Sequence, residues 1–198
     1  TQSQVLTQKT ENPVFEAFYQ DHIRKLLLIR QRSRYLAKGN YNFSRLAYIH
    51  KLFPDAFFLL PVRHPLQHLS SLLKQDRLFH ESLQNNPRAE NYLRWVGHYE
   101  FGPHQRVINV GDQALANEIN TARQEGDFLK AWALQWNSLY RFVLDQLDTE
   151  SELVSRCLWV PYETLCRDSD EMIERILQRC DLPMEGFVEI KNHYAEFL

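Results

Sequence analysis

Glycine and cysteine are scarce in this chain, whose 198 residues include six glycines and three cysteines. None of the glycines stands in a K-x-G-[TS] or GxxxxGK[ST] context, so the sequence contains no recognisable phosphate-binding loop. Cys157, Cys166 and Cys180 are odd in number and irregularly spaced, which matches neither a disulfide framework nor a paired zinc site. We therefore expect reduced thiols and no bound metal.

The sequence also lacks a surplus of one charge and any long apolar run. Its formal net charge is −2, and it has no basic stripe with interleaved aromatic residues, so we expect no binding to nucleic acid. The longest apolar run near the start, LLLI at residues 26–29, is too short to cross a bilayer or to form the core of a signal peptide. With free cysteines and no signal, the sequence predicts a cytoplasmic protein without a membrane segment.

Hydrophobic residues make up 44% of the chain, which is enough for a core, and no linker divides it, so we expect one domain over residues 1–198. Apolar periodicity and turn residues predict alternating helices and strands. The predicted helices cover residues 13–30, 42–52 and 168–180, and two more begin at Pro65 and Asp127. The predicted strands cover residues 34–38, 57–62 and 157–161, and residues 79–127 are expected to be partly irregular.

This order of elements is typical of an α/β domain in which helices flank a mainly parallel sheet. Three strands form a thin sheet for so many helices, and the chain starts at Thr1 rather than at a methionine. We therefore expect that residues outside this sequence contribute a missing strand. Pro61 is unusual in a buried strand because it has no N–H, so the strand should either end near Leu60 or leave that nitrogen unpaired.

Arg63 stands between the apolar run at residues 57–62 and the helix that begins at Pro65. Ligands of open parallel sheets bind beyond the carboxyl ends of the strands, where helix amino termini direct free N–H groups outward. A guanidinium at that position, beside a helix amino terminus and a hydroxyl two turns on, favours an anion site suited to phosphate. The structural alternative is an ion pair between Arg63 and a carboxylate such as Asp55 or Glu163.

Two long segments carry a resemblance to a known family. The first is YLAKGNYNFSRLAYIHKLFPDAFFLLPVRHPLQHLSSLLKQ at residues 35–75, and the second is WVPYETLCRDSDEMIERILQRCDLP at residues 159–183. Together they resemble sulfotransferases that use 3′-phosphoadenosine 5′-phosphosulfate (PAPS) as co-substrate. The resemblance implies a three-layer fold similar to that of P-loop proteins, and transfer of a sulfuryl group to a hydroxyl or amine without a metal.

The resemblance also implies roles for individual residues. In the family a strand ends in R-x-P, and a serine eight residues after the arginine completes the clamp on the 3′-phosphate of the nucleotide. Arg63 and Ser71 have that spacing, with Ser70 as the neighbour of the serine. Tyr162 matches the family tyrosine that contacts the adenine. Lys38 matches a lysine that ends the second strand of the family fold and supplies positive charge near the transferring group.

The sequence departs from the family pattern in three places. Thr164 replaces the usual acid of the later Y-E-D-L turn, and the glycine-containing loop that binds the 5′-phosphosulfate is absent, so the chain resembles a member without its first strand and loop. Asn40 stands where cytosolic members have a catalytic histidine, two residues after Lys38. The general base is therefore not identified. His98 and His104 are candidates for it, with solvated or locally bonded histidines as the alternative.

The leading hypothesis is a PAPS-dependent sulfotransferase in which residues 79–127 shape the acceptor site. Its nucleotide-binding residues would be Arg63, Ser71, Tyr162 and Lys38. A small alcohol, a sugar, a lipid headgroup and a peptide tyrosine would all be compatible as acceptors. The alternative is a nucleotide-binding or interaction domain that keeps the phosphate clamp and transfers nothing. A nucleoside phosphate kinase is disfavoured, because neither a Walker lysine nor a carboxylate pair for magnesium is evident.

Overall fold

The computed structural model describes residues 2–189, and these are mostly helical. The helices include α1 (Pro13–Arg30), α2 (Leu46–Leu52), α3 (Pro65–Gln84), α4 (Pro87–Trp95), α5 (Gln113–Gln124), α6 (Phe128–Thr149), α7 (Ser151–Arg156), α8 (Tyr162–Arg167) and α9 (Ser169–Arg179). The same residues contain a 3₁₀ helix (Asn40–Ser44) and the strands β1 (Phe58–Val62) and β2 (Cys157–Pro161). The architecture is α/β in a broad sense, since helices surround a small parallel sheet.

Within residues 2–189 the sheet consists of β1 and β2, which pair in parallel from Phe58 opposite Cys157 to Val62 opposite Pro161. Pro61 lies inside β1, and its carbonyl oxygen accepts a hydrogen bond of 2.9 Å from the Tyr140 hydroxyl on α6. The nitrogen and the carbonyl of one strand residue point to the same side of the strand. The Pro61 nitrogen, which has no hydrogen to donate, therefore also faces away from β2. The strand therefore continues through Pro61 with that nitrogen unpaired, which is one of the two predicted outcomes.

The core contains two clusters of buried side chains, and α6 contributes to both. The cluster between α5 and α6 contains Val107, Ala116, Ile119, Ala122 and Ala131. The cluster against the sheet contains Leu46, Leu60, Val143 and Leu153. The 22 residues of α6 extend for about 33 Å, so this helix connects the two clusters. Its predicted start is confirmed, because the side chain of Asp127 accepts a hydrogen bond of 3.0 Å from the Lys130 N–H.

One predicted strand is wrong: residues 34–38 form no strand and are exposed. This stretch is held instead by Arg34, whose guanidinium donates hydrogen bonds to the carbonyl oxygens of Cys180 and Asp181. Residues 79–127 are partly irregular, as predicted. The irregular part is mainly residues 96–112, whereas α3 continues through the start of the stretch and both α4 and α5 lie within it.

The helix predicted at residues 13–30 is confirmed as α1, but most of its apolar stripe is not core. The side chain of Asn12 accepts a hydrogen bond of 3.2 Å from the Phe15 N–H and caps the helix. Of the stripe residues, Ile23 is buried, whereas Phe15 is 43% exposed and Phe18 is 63% exposed. The described residues thus leave α1 with an extensive uncovered apolar surface.

The three cysteines are free thiols, as predicted. Burial raises the pKa of the Cys157 thiol to about 11, so this group is protonated and unreactive at neutral pH. In residues 2–189, no helix has both the length and the apolar character that a membrane span requires.

Candidate anion site at the strand ends

Arg63 and Tyr162 directly follow the last paired residues of the two strands, because Val62 lies opposite Pro161. Parallel pairing therefore places both side chains at the same edge of the sheet. The guanidinium carbon of Arg63 lies 4.8 Å from the centroid of the Tyr162 ring, within cation–π range. The structure thus brings together the residues that the family resemblance assigns to the 3′-phosphate and to the adenine.

The guanidinium of Arg63 has no carboxylate partner in the described part of the chain. Its Nε is buried and has no hydrogen-bond partner there. The nearby carboxylate of Glu163 instead accepts a hydrogen bond of 2.9 Å from the backbone N–H of His64. The ion pair with Asp55 or Glu163, considered as the structural alternative, is therefore not formed within residues 2–189. The guanidinium therefore has donors that no described carboxylate uses.

The amino terminus of α3 is open beside Arg63. The N-cap residue His64 makes no side-chain hydrogen bond to the first turn, and Pro65, at the first helical position, has no N–H. The N–H groups of Leu66 and Gln67 have no acceptor within the helix, and the dipole of this 20-residue helix adds partial positive charge. An anion at this point would meet a guanidinium and two backbone donors.

The positive charge of Arg63 acts on the pKa values of two neighbouring groups, Glu163 and Tyr162. Backbone hydrogen bonds, first that from His64, lower the pKa of Glu163, and the charge of Arg63 lowers it further. A hydrogen bond with Cys166 raises the pKa of Tyr162, while Arg63 acts in the opposite direction. At neutral pH the edge of the sheet therefore carries a guanidinium, a carboxylate bound to backbone N–H, and a neutral phenol.

Three ring side chains near Arg63 contact one another, and the sequence did not predict this arrangement. The indole N–H of Trp136 donates a hydrogen bond of 3.0 Å to Nδ1 of His68, and the rings of Trp136 and Tyr140 are 4.5 Å apart. Burial lowers the pKa of His68, and the charge of Arg63 lowers it further. His68 is thus neutral and supports the site without adding charge. Its pairing with Trp136 depends on how α3 packs against α6, which periodicity alone does not specify.

Two predicted site residues form no hydrogen bond or ion pair with Arg63 or Tyr162. Ser71 is exposed on α3, and its neighbour Ser70 lines a groove on another face of that helix. Lys38 is exposed in the unpaired stretch before the 3₁₀ helix. The side-chain amide nitrogen of Asn40 lies 3.5 Å from a carboxylate oxygen of Glu100, so this residue is directed toward the irregular segment 96–112.

The two histidines considered as general bases lie in that irregular segment, each beside a glutamate. Nδ1 of His98 lies 3.1 Å from Glu100, and Nε2 of His104 lies 2.5 Å from Glu90. The His98 ring stacks on Phe79 at 5.5 Å, about 21 Å along α3 from its first residue. This distance separates both candidates from the helix end where Arg63 lies.

Comparison with known proteins adds no further support, because no family model, no curated protein and no solved structure matches this chain. The likeness to sulfotransferases rests on the two quoted segments. Among residues 2–189, no group of three or more His, Cys, Asp or Glu side chains is arranged to hold a metal ion.

Proposed function

We propose that this chain binds the adenosine 3′,5′-bisphosphate part of PAPS at the edge of the sheet, with the 3′-phosphate on Arg63 and the adenine beside Tyr162. The observation that carries the proposal is the unpaired guanidinium of Arg63, stacked on Tyr162 next to the open amino terminus of α3. The full proposal is a sulfotransferase with a three-layer, P-loop-like fold, whose first strand and phosphosulfate loop are not contained in this sequence.

The chemistry of a phosphate monoester fits these donors. Its oxygens accept hydrogen bonds from a planar guanidinium in a bidentate arrangement, and its charge is stabilised by helix N–H groups. The Tyr162 side chain is 45% exposed, so part of the ring remains available for a purine. Ser71 and Lys38 would complete the nucleotide site in the roles that the family resemblance implies.

In the proposed reaction, an acceptor oxygen or nitrogen attacks the sulfur in line. The S–O bond to the 5′-phosphate breaks, adenosine 3′,5′-bisphosphate leaves with the bonding electrons, and the acceptor proton passes to a base. The acceptor would be a small molecule, a glycan or a lipid. The four proposed nucleotide-binding residues do not include the base.

The second candidate function is a nucleotide-binding or interaction domain that transfers nothing. The arrangement of Asn40 favours it, because an amide directed toward Glu100 replaces the base that cytosolic family members have after Lys38. An amide does not accept a proton at neutral pH, so binding without turnover is the expected behaviour of such a domain.

Calorimetric titration tests the binding proposal. Adenosine 3′,5′-bisphosphate should bind more tightly than adenosine 5′-monophosphate. Arg63→Ala should lower the affinity for the bisphosphate by about 10- to 100-fold, as expected for the loss of charged hydrogen bonds. Arg30→Ala, which removes an exposed arginine of α1, is the matched control and should change nothing. Equal affinity for both nucleotides, or undiminished binding by Arg63→Ala, would contradict the proposal. Measuring whether adenosine 3′,5′-bisphosphate is released from PAPS distinguishes the two candidate functions, because an enzyme releases it and a binding domain does not.

A further inference from the structure

A groove on α3 forms a second candidate site. Its volume is about 380 Å³, within the usual range of about 300 to 1,000 Å³ for small-molecule sites. It is lined by Leu66, Leu69, Ser70, Leu73, Lys74, Arg77 and Leu129. All but Leu129 lie on α3 at steps of three and four residues, which places them on one stripe of the helix. Leu129, at the start of α6, closes one side.

This groove is distinct from the proposed nucleotide site. Around the helix axis, the direction of Arg77 differs from that of Ser71 by about 120°, and that of Lys74 by about 60°. None of the four residues proposed to bind PAPS lines the groove. A ligand here would therefore occupy a stripe of α3 that is adjacent to the one on which Ser71 lies and not the same as it.

The lining combines an apolar floor with uncompensated positive charge. Leucines form the floor, and the exposed side chains of Lys74 and Arg77 stand at the rim. Within residues 2–189 neither cation has an ion-pair or hydrogen-bond partner, and no carboxylate lines the groove. The hydroxyl of Ser70 is a further donor beside the two charges. An apolar floor with only positive charge at its rim is complementary to an anion that has an apolar body.

We propose that the groove binds a small apolar anion, that is, an alkyl or aryl body with one carboxylate or sulfate group. The body covers the leucines, and the anionic group lies between Lys74 and Arg77 with Ser70 nearby. A neutral molecule of the same shape would leave both cations unused, and a polar anion would leave the leucines uncovered. Charge and apolar body are therefore both required.

The test is a calorimetric titration of the chain with decanoate and, separately, with decanol. Decanoate should bind at least tenfold more tightly, and K74Q/R77Q should abolish that difference without changing decanol binding. The matched control is K25Q/R30Q, which removes two exposed cations of α1 and should leave decanoate binding unchanged. Leu66→Asn should weaken both probes, because it removes part of the floor.

Three results would overturn the proposal: no binding of decanoate, equal binding of decanoate and decanol, or equal weakening by K74Q/R77Q and by the control pair. A fourth result that would overturn the proposal comes from sedimentation velocity. If the chain self-associates and Leu66→Asn makes it monomeric, the groove is an interface between copies instead. Since Arg63→Ala should leave decanoate binding unchanged and K74Q/R77Q should leave bisphosphate binding unchanged, failure of this proposal is distinguishable from failure of the nucleotide site.

Discussion

Several arginines of residues 2–189 lie over aromatic rings, and two of them, Arg63 and Arg123, differ in what else they contact. The guanidinium carbon lies 4.8 Å from the ring centroid for Arg63 over Tyr162, and 4.7 Å for Arg123 over Trp132. Nη1 of Arg123 also lies 3.5 Å from a carboxylate oxygen of Asp76, whereas Arg63 has no acid partner in the described part of the chain. Arg123 thus has a direct ion pair, whereas Arg63 has only the charge of Glu163 nearby and no ion pair with it.

The surroundings of Asp76 explain why the compensated pair is structural. Asp76 is 4% exposed and accepts a hydrogen bond of 3.0 Å from the Gly102 N–H, so it connects α3, α5 and the irregular segment. Burial lowers the pKa of Arg123, and Asp76 opposes that shift. Gly102 has a φ of +83°, which favours glycine at this contact. Stacking on a ring is common to both arginines, so the difference between them is the ion pair that Arg123 has and Arg63 lacks. The position of Arg63 at the strand ends, beside the open amino terminus of α3, is what makes it the candidate for ligand binding.

Asp76→Asn should show the largest effect of any substitution that separates the two arginines. The asparagine can still accept the hydrogen bond from Gly102, but it leaves the charge of Arg123 buried without a partner, at a cost of about 3 to 5 kcal/mol in the free energy of unfolding. Arg63→Met should cost less than about 1 kcal/mol, because no buried partner is orphaned. Urea unfolding measures both. Equal losses in the free energy of unfolding would show that Arg63 and Arg123 do not differ in their contribution to stability.

Arg63→Lys should have the next largest effect, and on binding rather than on stability. Lysine keeps the positive charge but loses the planar fork, so we expect adenosine 3′,5′-bisphosphate to bind about tenfold more weakly, or about 1.4 kcal/mol. Arg123→Lys should leave that affinity unchanged while lowering stability. Calorimetry and urea unfolding on both variants provide the comparison. Full affinity in Arg63→Lys would mean that charge alone, without bidentate geometry, holds the phosphate.

The elements that could be predicted from the sequence are those with local signals. Both strands follow from continuous apolar runs, and α6 from its periodicity and its Asp127 cap. The helices α4 and α5 also have readable caps, since Asn86 accepts from Ala89 N–H and Asp112 from Leu115 N–H. The strand predicted at residues 34–38 was wrong because a strand requires a neighbour to pair with, and pairing is not a local property.

The same distinction holds for the candidate site. The proximity of Arg63 to Tyr162 could be inferred, because parallel strands end at one edge of a sheet. The contact of His68 with Trp136 and that of Asp76 with Arg123 could not, because each joins two helices whose relative rotation depends on the whole core. Helical periodicity specifies which face of a helix is buried, but not which side chain on the partner it meets.

Alanine substitutions at Ser71 and Ser70 test which face of α3 binds the phosphate. Their effect on bisphosphate affinity should be smaller than that of Arg63→Lys. If Ser71 completes the phosphate clamp, its loss should weaken bisphosphate binding by about two- to tenfold, the range of one hydrogen bond of about 0.5 to 1.5 kcal/mol. Ser70 lines the groove, so Ser70→Ala should leave that affinity unchanged. Calorimetry on the two alanine variants decides between them. An effect of Ser70→Ala alone would move the clamp by one residue and contradict the spacing taken from the family.

His68→Gln should have the smallest effect, and it is visible only in the pH dependence of stability. Burial and the charge of Arg63 lower the pKa of His68 in the folded chain below its usual value of 6.5. The unfolded chain therefore binds more protons as the pH falls below about 6.5, which reduces the stability of the folded state in that range. Glutamine retains an acceptor for Trp136 but does not titrate. Urea midpoints at pH 7.5 and pH 5.5 should therefore differ less in His68→Gln than in the wild-type chain. An identical difference in both would show that the histidine behind Arg63 is not held neutral by the fold.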